Sequence, residues 1–264
     1  METGARRAVA LVTGASSGLG AEFARQLGAL GLDLVLVARR ADRLQAVRAE
    51  IETRAGVQCH VLARDLSRPE APQELFDWTT SHGLEVEWLV NNAGFATMGA
   101  MASLPLEREL AEIQVNVTTV AALTQRYLAG MVARRRGYIV NVASVGAFTP
   151  TPYMATYTAS KAFVLTFSEA VAGEVSGLGV HVQALCPGAA RTEFHEVAGA
   201  TGRLPALAFM MPEAVVRRSI AAARRGSGTF VPGWLNQVAV HSTRVTPRRL
   251  LVWIAGRLFR PAGA

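Results

Sequence analysis

The chain has 264 residues, half of them hydrophobic, and carries 26 arginines and one lysine against 20 acids, a net charge of +7. Its length suits one α/β domain able to bury a large core, and no apolar run reaches the roughly 18 residues a transmembrane helix needs, which points to a soluble, cytoplasmic protein. The charge is lopsided, −3 over residues 1–132 and +10 over 133–264 with no acid after Glu213, favouring an acidic partner, a membrane surface or phosphate-bearing ligands.

Arg6 and Arg7 precede "AVALV", a pattern loosely like a signal peptide, but the run is short and cleavage after it would destroy the turn that follows. "AVALVTG" (8–14) reads instead as the first strand, and a helix runs from about Ser17 to Leu30 with Leu19, Phe23 and Leu27 on one face. Residues 32–38 form the second strand and are followed by an arginine-rich helix to about Arg54. Strands at 57–65 and 87–94 come next, then a long helix from about Leu106 to Arg134, a fifth strand at 137–144, a helix from Tyr153 to Val175 and a sixth strand at 180–188. A lid over 189–211, a helix from near Pro212, a short strand at 228–233 and a basic amphipathic segment over 234–264 complete the chain. Near-continuous apolar strands alternating with helices predict an α/β, Rossmann-like, doubly wound parallel β-sheet of about seven strands in one domain over 1–264. Cys59 and Cys186 have no metal-ligand spacing, so no metal is expected, and each reads as a small buried side chain in a reducing compartment.

"TGASSGLG" (13–20) sets Gly14, Gly18 and Gly20 between the first strand and the first helix, where backbone amides can approach a pyrophosphate at the helix N-terminus. Just past the second strand, where an acid often meets a ribose 2′-hydroxyl, stand Arg39 and Arg40. Two cations opening a helix oppose its dipole unless an anion sits among them. A 2′-phosphate would be such an anion, which makes NADP the expected cofactor; a solvated basic helix start is the plainer alternative.

The lone lysine, Lys161, lies in "YTASK", four residues after Tyr157, so both side chains share a helical face. A nearby cation stabilises a phenolate, and an ammonium is a compact point charge where a guanidinium is a broad planar fork. Alone, this lysine could simply occupy a solvated face. Ser144, however, ends the fifth strand, and in a parallel sheet ligands gather beyond the carboxyl ends of the strands. Asn116 sits mid-helix in an apolar setting that demands partners for its amide, either catalytic or structural; "NVT" there also matches a glycosylation acceptor, a poor reading inside a helix.

Taken together, "TGASSGLG", "NNAG" (91–94), Asn116, Ser144, "YTASK" and "PGAART" (187–192) resemble the short-chain dehydrogenase/reductase family over residues 8 to about 192, with a continuation to 233. The resemblance implies that Tyr157 exchanges the substrate proton, that Lys161 lowers its pKa and binds the nicotinamide ribose, that Ser144 orients the carbonyl and that Asn116 supports a water relay. It further implies cofactor contacts from the glycine turn, including Ser16, Ser17 and Leu19, from Asp65 and Leu66 near adenine, from Asn91, Ala93 and Gly94, and from Pro187, Gly188 and Thr192 near the carboxamide. "NVAS" stands where many relatives have two serines, but the residue at the catalytic spacing is kept.

The implied activity is interconversion of a carbonyl and an alcohol, with reduction the favoured direction if NADPH is used. Phe194, Leu204, Leu207, Phe209, Met210 and Met211, with Phe95, Met98, Phe148 and Met154, suggest an apolar pocket for a lipophilic ketone or alcohol; each could equally be core. "TPRRLLVWIAGRLFRP" (246–261) would lie on an anionic membrane surface or, as the favoured alternative, dock on a subunit of a homo-dimer or homo-tetramer. A silent cofactor-binding regulator would not need Ser, Tyr and Lys in register, and nucleic-acid binding rests on basicity alone.

Overall fold

The computed structural model describes residues 7–188 and 210–260. Seven parallel strands lie in the order β3-β2-β1-β4-β5-β6-β7. They are β1 (Val9–Thr13), β2 (Asp33–Ala38), β3 (Cys59–Ala63), β4 (Val86–Asn91), β5 (Gly137–Val142), β6 (Val180–Leu185) and β7 (Thr229–Phe230). The order reverses between β1 and β4, so the crevice at their carboxyl ends is the switch point where doubly wound sheets bind ligands.

Side-chain alternation splits the core between the two faces. Ala10 and Val12 of β1, with Leu34 and Leu36 of β2, pack against Phe23 and Leu27 of α1 (Gly18–Ala29), Leu44 and Ile51 of α2 (Ala41–Ala55), and Val216 and Ile220 of α7 (Pro212–Arg224). Their neighbours Val9, Leu11, Val35 and Val37 face Leu75 of α3 (Ala71–Ser81), Leu123 and Tyr127 of α5 (Thr119–Arg134), and Val171 of α6 (Ala155–Glu174). Burial on both faces is why these strands carry so few polar residues. The strand order follows the sequence pattern, the third strand is shorter than expected, and α3, between β3 and β4, is a helix that the sequence reading did not predict.

Two departures bear on the site. The expected long helix is α4 (Leu106–Ile113) joined to α5 through a π-helical turn at Gln114–Thr118. Asn116 is in that turn, and its side chain is held by Phe95 and Ser160; such widened turns occur often at functional positions. Tyr153, expected to open α6, is instead left-handed at φ +67° while its carbonyl accepts Gly99 N–H at 2.9 Å, so the helix starts at Ala155. Past β7, α8 (Trp234–Ser242) and α9 (Arg248–Phe259) replace the single amphipathic segment. No helix among the described residues is long and apolar enough to cross a membrane.

Candidate active site

Ser144, Tyr157 and Lys161 converge beyond the carboxyl end of β5. Ser144 caps the short 3₁₀ turn Val145–Phe148, its Oγ accepting Gly146 N–H at 3.0 Å. The same hydroxyl hydrogen-bonds to Tyr157. A β-carbon placed on Gly146 would lie 3.4 Å from Ser144 Oγ and 3.8 Å from Tyr157 Cε1, ordinary contact distances that put Gly146 beside the pair.

Tyr157 is buried, and that burial pushes its phenol up to about 12, with the Ser144 hydrogen bond opposing and the Glu112 charge adding to the rise. Desolvation of the phenolate is the largest of these influences, and Tyr157 stands as a protonated donor at neutral pH. Lys161 Nζ donates to Val142 O at 2.7 Å and lies 5.8 Å from the Tyr157 ring centre. Burial pushes its ammonium down to about 8, with Glu112 and Cys186 opposing.

Asn116 is fully buried and committed on three sides. Its Nδ2 donates to Phe95 O at 2.9 Å and Ser160 Oγ at 3.1 Å, and its Oδ1 accepts Phe95 N–H at 3.2 Å. The amide therefore holds the loop after β4 in place, which is the structural alternative. A β-carbon on Gly94 would stand 2.9 Å from Asn116 Oδ1 and 3.4 Å from Lys161 Nζ, so Gly94 brings the two side chains close.

Glu112, one helical turn before Asn116, carried no signal in the sequence, where "LERELAEI" looks like a solvated helix face. Its side chain is fully buried; Oε2 accepts Thr97 N–H at 2.7 Å and Oε1 has no hydrogen-bond partner among the described residues. Burial raises its carboxyl to about 7, against the Thr97 hydrogen bonds and the Lys161 charge. A carboxyl raised from 4.5 binds a proton in the folded chain that the unfolded chain has released, so its contribution is full below about pH 4.5 and lost as pH climbs through about 7. Glu112→Gln is therefore expected to raise stability above pH 7 by on the order of 3 kcal/mol relative to the parent, with the gap closing near pH 4.5. Denaturant midpoints measured across that range check it, and a gap constant with pH counts against the buried titration.

The glycine turn is where the sequence leads one to expect the cofactor. Gly14 is left-handed at φ +67°, and a β-carbon there would stand 2.6 Å from Asn92 Nδ2; one on Gly20 would strike Gly14 O and meet Asn92 Nδ2 at 2.5 Å. Arg40 Nη2 donates to Ser17 Oγ at 2.8 Å and Ser16 Oγ at 3.2 Å, folding the guanidinium over the turn. Arg39 is exposed, and its charge falls on Asp65. Burial pushes the Asp65 carboxyl up, but Ser67 N–H and Oγ at 3.0 and 2.8 Å, with Arg39 and Arg68, more than offset this and hold it low. Leu66 is buried and its carbonyl accepts Thr119 Oγ1 at 3.1 Å. Leu19 packs against the core beside Gly18, which opens α1. Pro187 O accepts Val145 N–H at 3.0 Å, tying "PG" to the Ser144 turn, while Gly188 is packed against Asn236 of α8. Thr192, with most of the expected lid (Phe194, Leu204, Leu207 and Phe209 included), lies outside the described residues.

The Asn91 side chain is turned into the fold. It donates to Asn141 Oδ1 at 2.8 Å and Thr124 Oγ1 at 3.2 Å, and Asn141 donates to Ser168 Oγ at 2.9 Å, a buried polar ladder across β4, β5 and α6. The residues that shape the turn are Asn92 and Thr13, which the motif reading passed over. Thr13 Oγ1 accepts the N–H groups of Asn92 and Ala93 at 2.9 and 3.0 Å, and Asn92 Nδ2 donates to Thr13 O at 2.9 Å. A second omission is Phe259 of α9, which packs with Met98 on the cluster of Ala96, Met154 and Tyr157. Of the other expected pocket residues, Phe148 joins a separate cluster with Val164, Phe95 lies under Arg108, Met210 reaches the core and Met211 is exposed.

The family model for short chain dehydrogenase matches residues 8–201. A very-long-chain 3-oxoacyl-CoA reductase from Phaeosphaeria nodorum is 31% identical over 258 residues, covering 96% of this chain and 72% of that protein. The 17-beta-hydroxysteroid dehydrogenase type 3 of Mus musculus is 35% identical over 190 residues, 67% of this chain, which spans only 58% of that relative's length. Among solved structures, a short-chain dehydrogenase from Sphingobium yanoikuyae in complex with NADPH superposes with a TM-score of 0.81 at 33% identity, covering 90% of this chain and 94% of that one. The matched region contains the glycine turn, the Ser144 cap and the Tyr157–Lys161 pair, and the chain belongs to the short-chain dehydrogenase/reductase family of oxidoreductases acting on CH–OH groups.

Proposed function

We propose that the protein is an NADP(H)-dependent oxidoreductase that interconverts a lipophilic ketone and its alcohol, working chiefly as a reductase. The observation that carries this reading is the convergence of half-buried Ser144 with buried Tyr157 and Lys161, with a phenol held protonated at neutral pH. NADPH, when bound, supplies the hydride. The chain's residues suit it: Gly14 and Gly20 leave the space that a β-carbon would fill, and Arg40 with Ser16 and Ser17 offers a cation and two hydroxyls to a 2′-phosphate. Asp65 and Leu66 would flank the adenine, and the backbone at Asn91, Ala93 and Gly94, with Pro187, Gly188 and Thr192, the rest of the dinucleotide. Ser144 Oγ would hold the substrate oxygen while Tyr157 gives it a proton, and Lys161 would steady the phenolate left behind.

Met98, Met154 and Phe259 around Tyr157 favour an apolar reactant, in keeping with the acyl and steroid substrates in the names of the two relatives. Any homo-oligomer would draw on the exposed Leu106, Leu110 and Ile113 of α4 and Phe163 of α6, a point that sedimentation velocity decides. The deciding experiment is a cofactor-consumption screen against ketones of graded apolar size with NADPH and NADH side by side. In the Arg39→Ala, Arg40→Ala variant kcat/KM with NADPH is expected to fall by about 10- to 100-fold, the worth of a lost charge-assisted contact, with the NADH value unchanged. Equal falls with both cofactors would remove the phosphate assignment.

A further inference from the structure

We propose that α8 and α9 form a docking face for an anionic lipid surface on the side of the fold where α9 covers the Tyr157 cluster. This builds on the reading of a lipophilic substrate. In α9, Leu251, Ala255, Gly256 and Phe259 turn towards the fold: Ala255 is buried, a β-carbon on Gly256 would stand 3.3 Å from Pro152 Cγ, and Phe259 touches the Tyr157 cluster. Leu250, Trp253, Ile254 and Leu258 recur at the i, i+3, i+4, i+8 spacing of a single opposite stripe and are all exposed. Within α8, Trp234 is 70% exposed and borders a shallow groove with Val238 and with Val245 just past the helix.

Charge decides what covers this face. Arg248, Arg249 and Arg257 are exposed on the same helix, the Arg257 guanidinium lies 4.3 Å over the Trp253 ring, and the sequence holds no Asp or Glu from 214 to the end. A two-fold pair of copies would set these arginines against each other with no acid from α8 or α9 to offset them, because an isologous contact repeats the same patch. Anionic headgroups above an acyl layer satisfy both halves of the face: each arginine gains about 1 kcal/mol near such a surface, and tryptophan suits the water–hydrocarbon boundary. At 12 residues α9 is too short to span a bilayer, so it lies along the surface. Asn236 of α8 packs on Gly188 and Phe259 of α9 on the Tyr157 cluster, so the docked face adjoins the site through both helices.

The test is co-sedimentation of the full chain with phosphatidylglycerol/phosphatidylcholine vesicles and with pure phosphatidylcholine. Binding at least tenfold stronger to the anionic vesicles is expected, with a similar loss in Arg248→Glu, Arg249→Glu and in Trp253→Ser, Ile254→Ser. Turnover of a small water-soluble ketone should be unchanged in both variants, since none of these side chains reaches the site. Equal partitioning to both vesicle types, or none, overturns the proposal, and so does a concentration-dependent dimer that disappears in the arginine variant. If vesicle binding holds while no ketone is turned over by any form, the catalytic reading fails and the docking face stands.

Discussion

Tyr157→Phe is expected to lower kcat by about 10³-fold or more, near the upper range for removing a positioned general acid, with NADPH affinity within about twofold of the parent. The substitution deletes one oxygen from a buried ring whose apolar contacts with Ala96, Met98, Met154 and Phe259 persist. The hydrogen bond with Ser144 is lost while the apolar packing stays, so the fold is expected to tolerate it. The phenol would serve as the proton source because its surroundings hold it neutral: burial, with the Glu112 charge adding and the Ser144 hydrogen bond opposing, lifts it to about 12. A neutral donor suits carbonyl reduction, where the developing alkoxide needs a proton. The reverse reaction needs the phenolate, so in the forward direction the rate should hold flat through neutral pH and in the reverse direction climb with pH. Steady-state kinetics in both directions, with cofactor binding followed by fluorescence titration, separate these effects. Retention of a tenth or more of kcat by the Phe variant would point to a regulator or to another acid.

The elements that build the site were readable to different depths. Parallel strands buried on both faces leave long apolar runs, and glycines at 14, 18 and 20 mark a tight strand-to-helix turn open to an anion, so sheet and turn were plain from the sequence. Asn92 and Thr13 were missed because their role is a cross-strand exchange of hydrogen bonds at |i−j| of 79, which no local pattern encodes. The π turn at Gln114–Thr118 has no local signature either; its stabilising bonds reach Phe95 and Ser160. Glu112 reads as a surface acid until α6 is packed across α4, and Phe259 enters the pocket only because α9 folds back from a hundred residues away. Local chemistry gave the reacting groups, and tertiary packing set their protonation.

The single lysine makes the second strong expectation: Lys161→Arg should reduce kcat by about 10²-fold, within the range for disturbing a proton-transfer group, although it preserves the charge. Arginine fills every other basic position in the chain apart from histidine, so the exception reports on shape and basicity. Lys161 Nζ sits between Val142 O at 2.7 Å and the space beside Gly94, where Asn116 Oδ1 is also a near neighbour, in a buried site with no path for a broader head group. Forcing a guanidinium into that space costs about 1–3 kcal/mol in strain. It would also break the match in basicity, because burial brings the ammonium to about 8, within reach of the neutral range, while a guanidinium stays protonated throughout. Lys161→Met, which keeps the length and discards the charge, separates the two causes: its stability should equal or exceed the parent's because a buried cation is gone, while its activity falls at least as far as that of the arginine variant. Thermal midpoints and kcat measured together resolve this. An arginine variant within threefold of the parent would mean that any cation serves at this position, and the argument from size would fall with it.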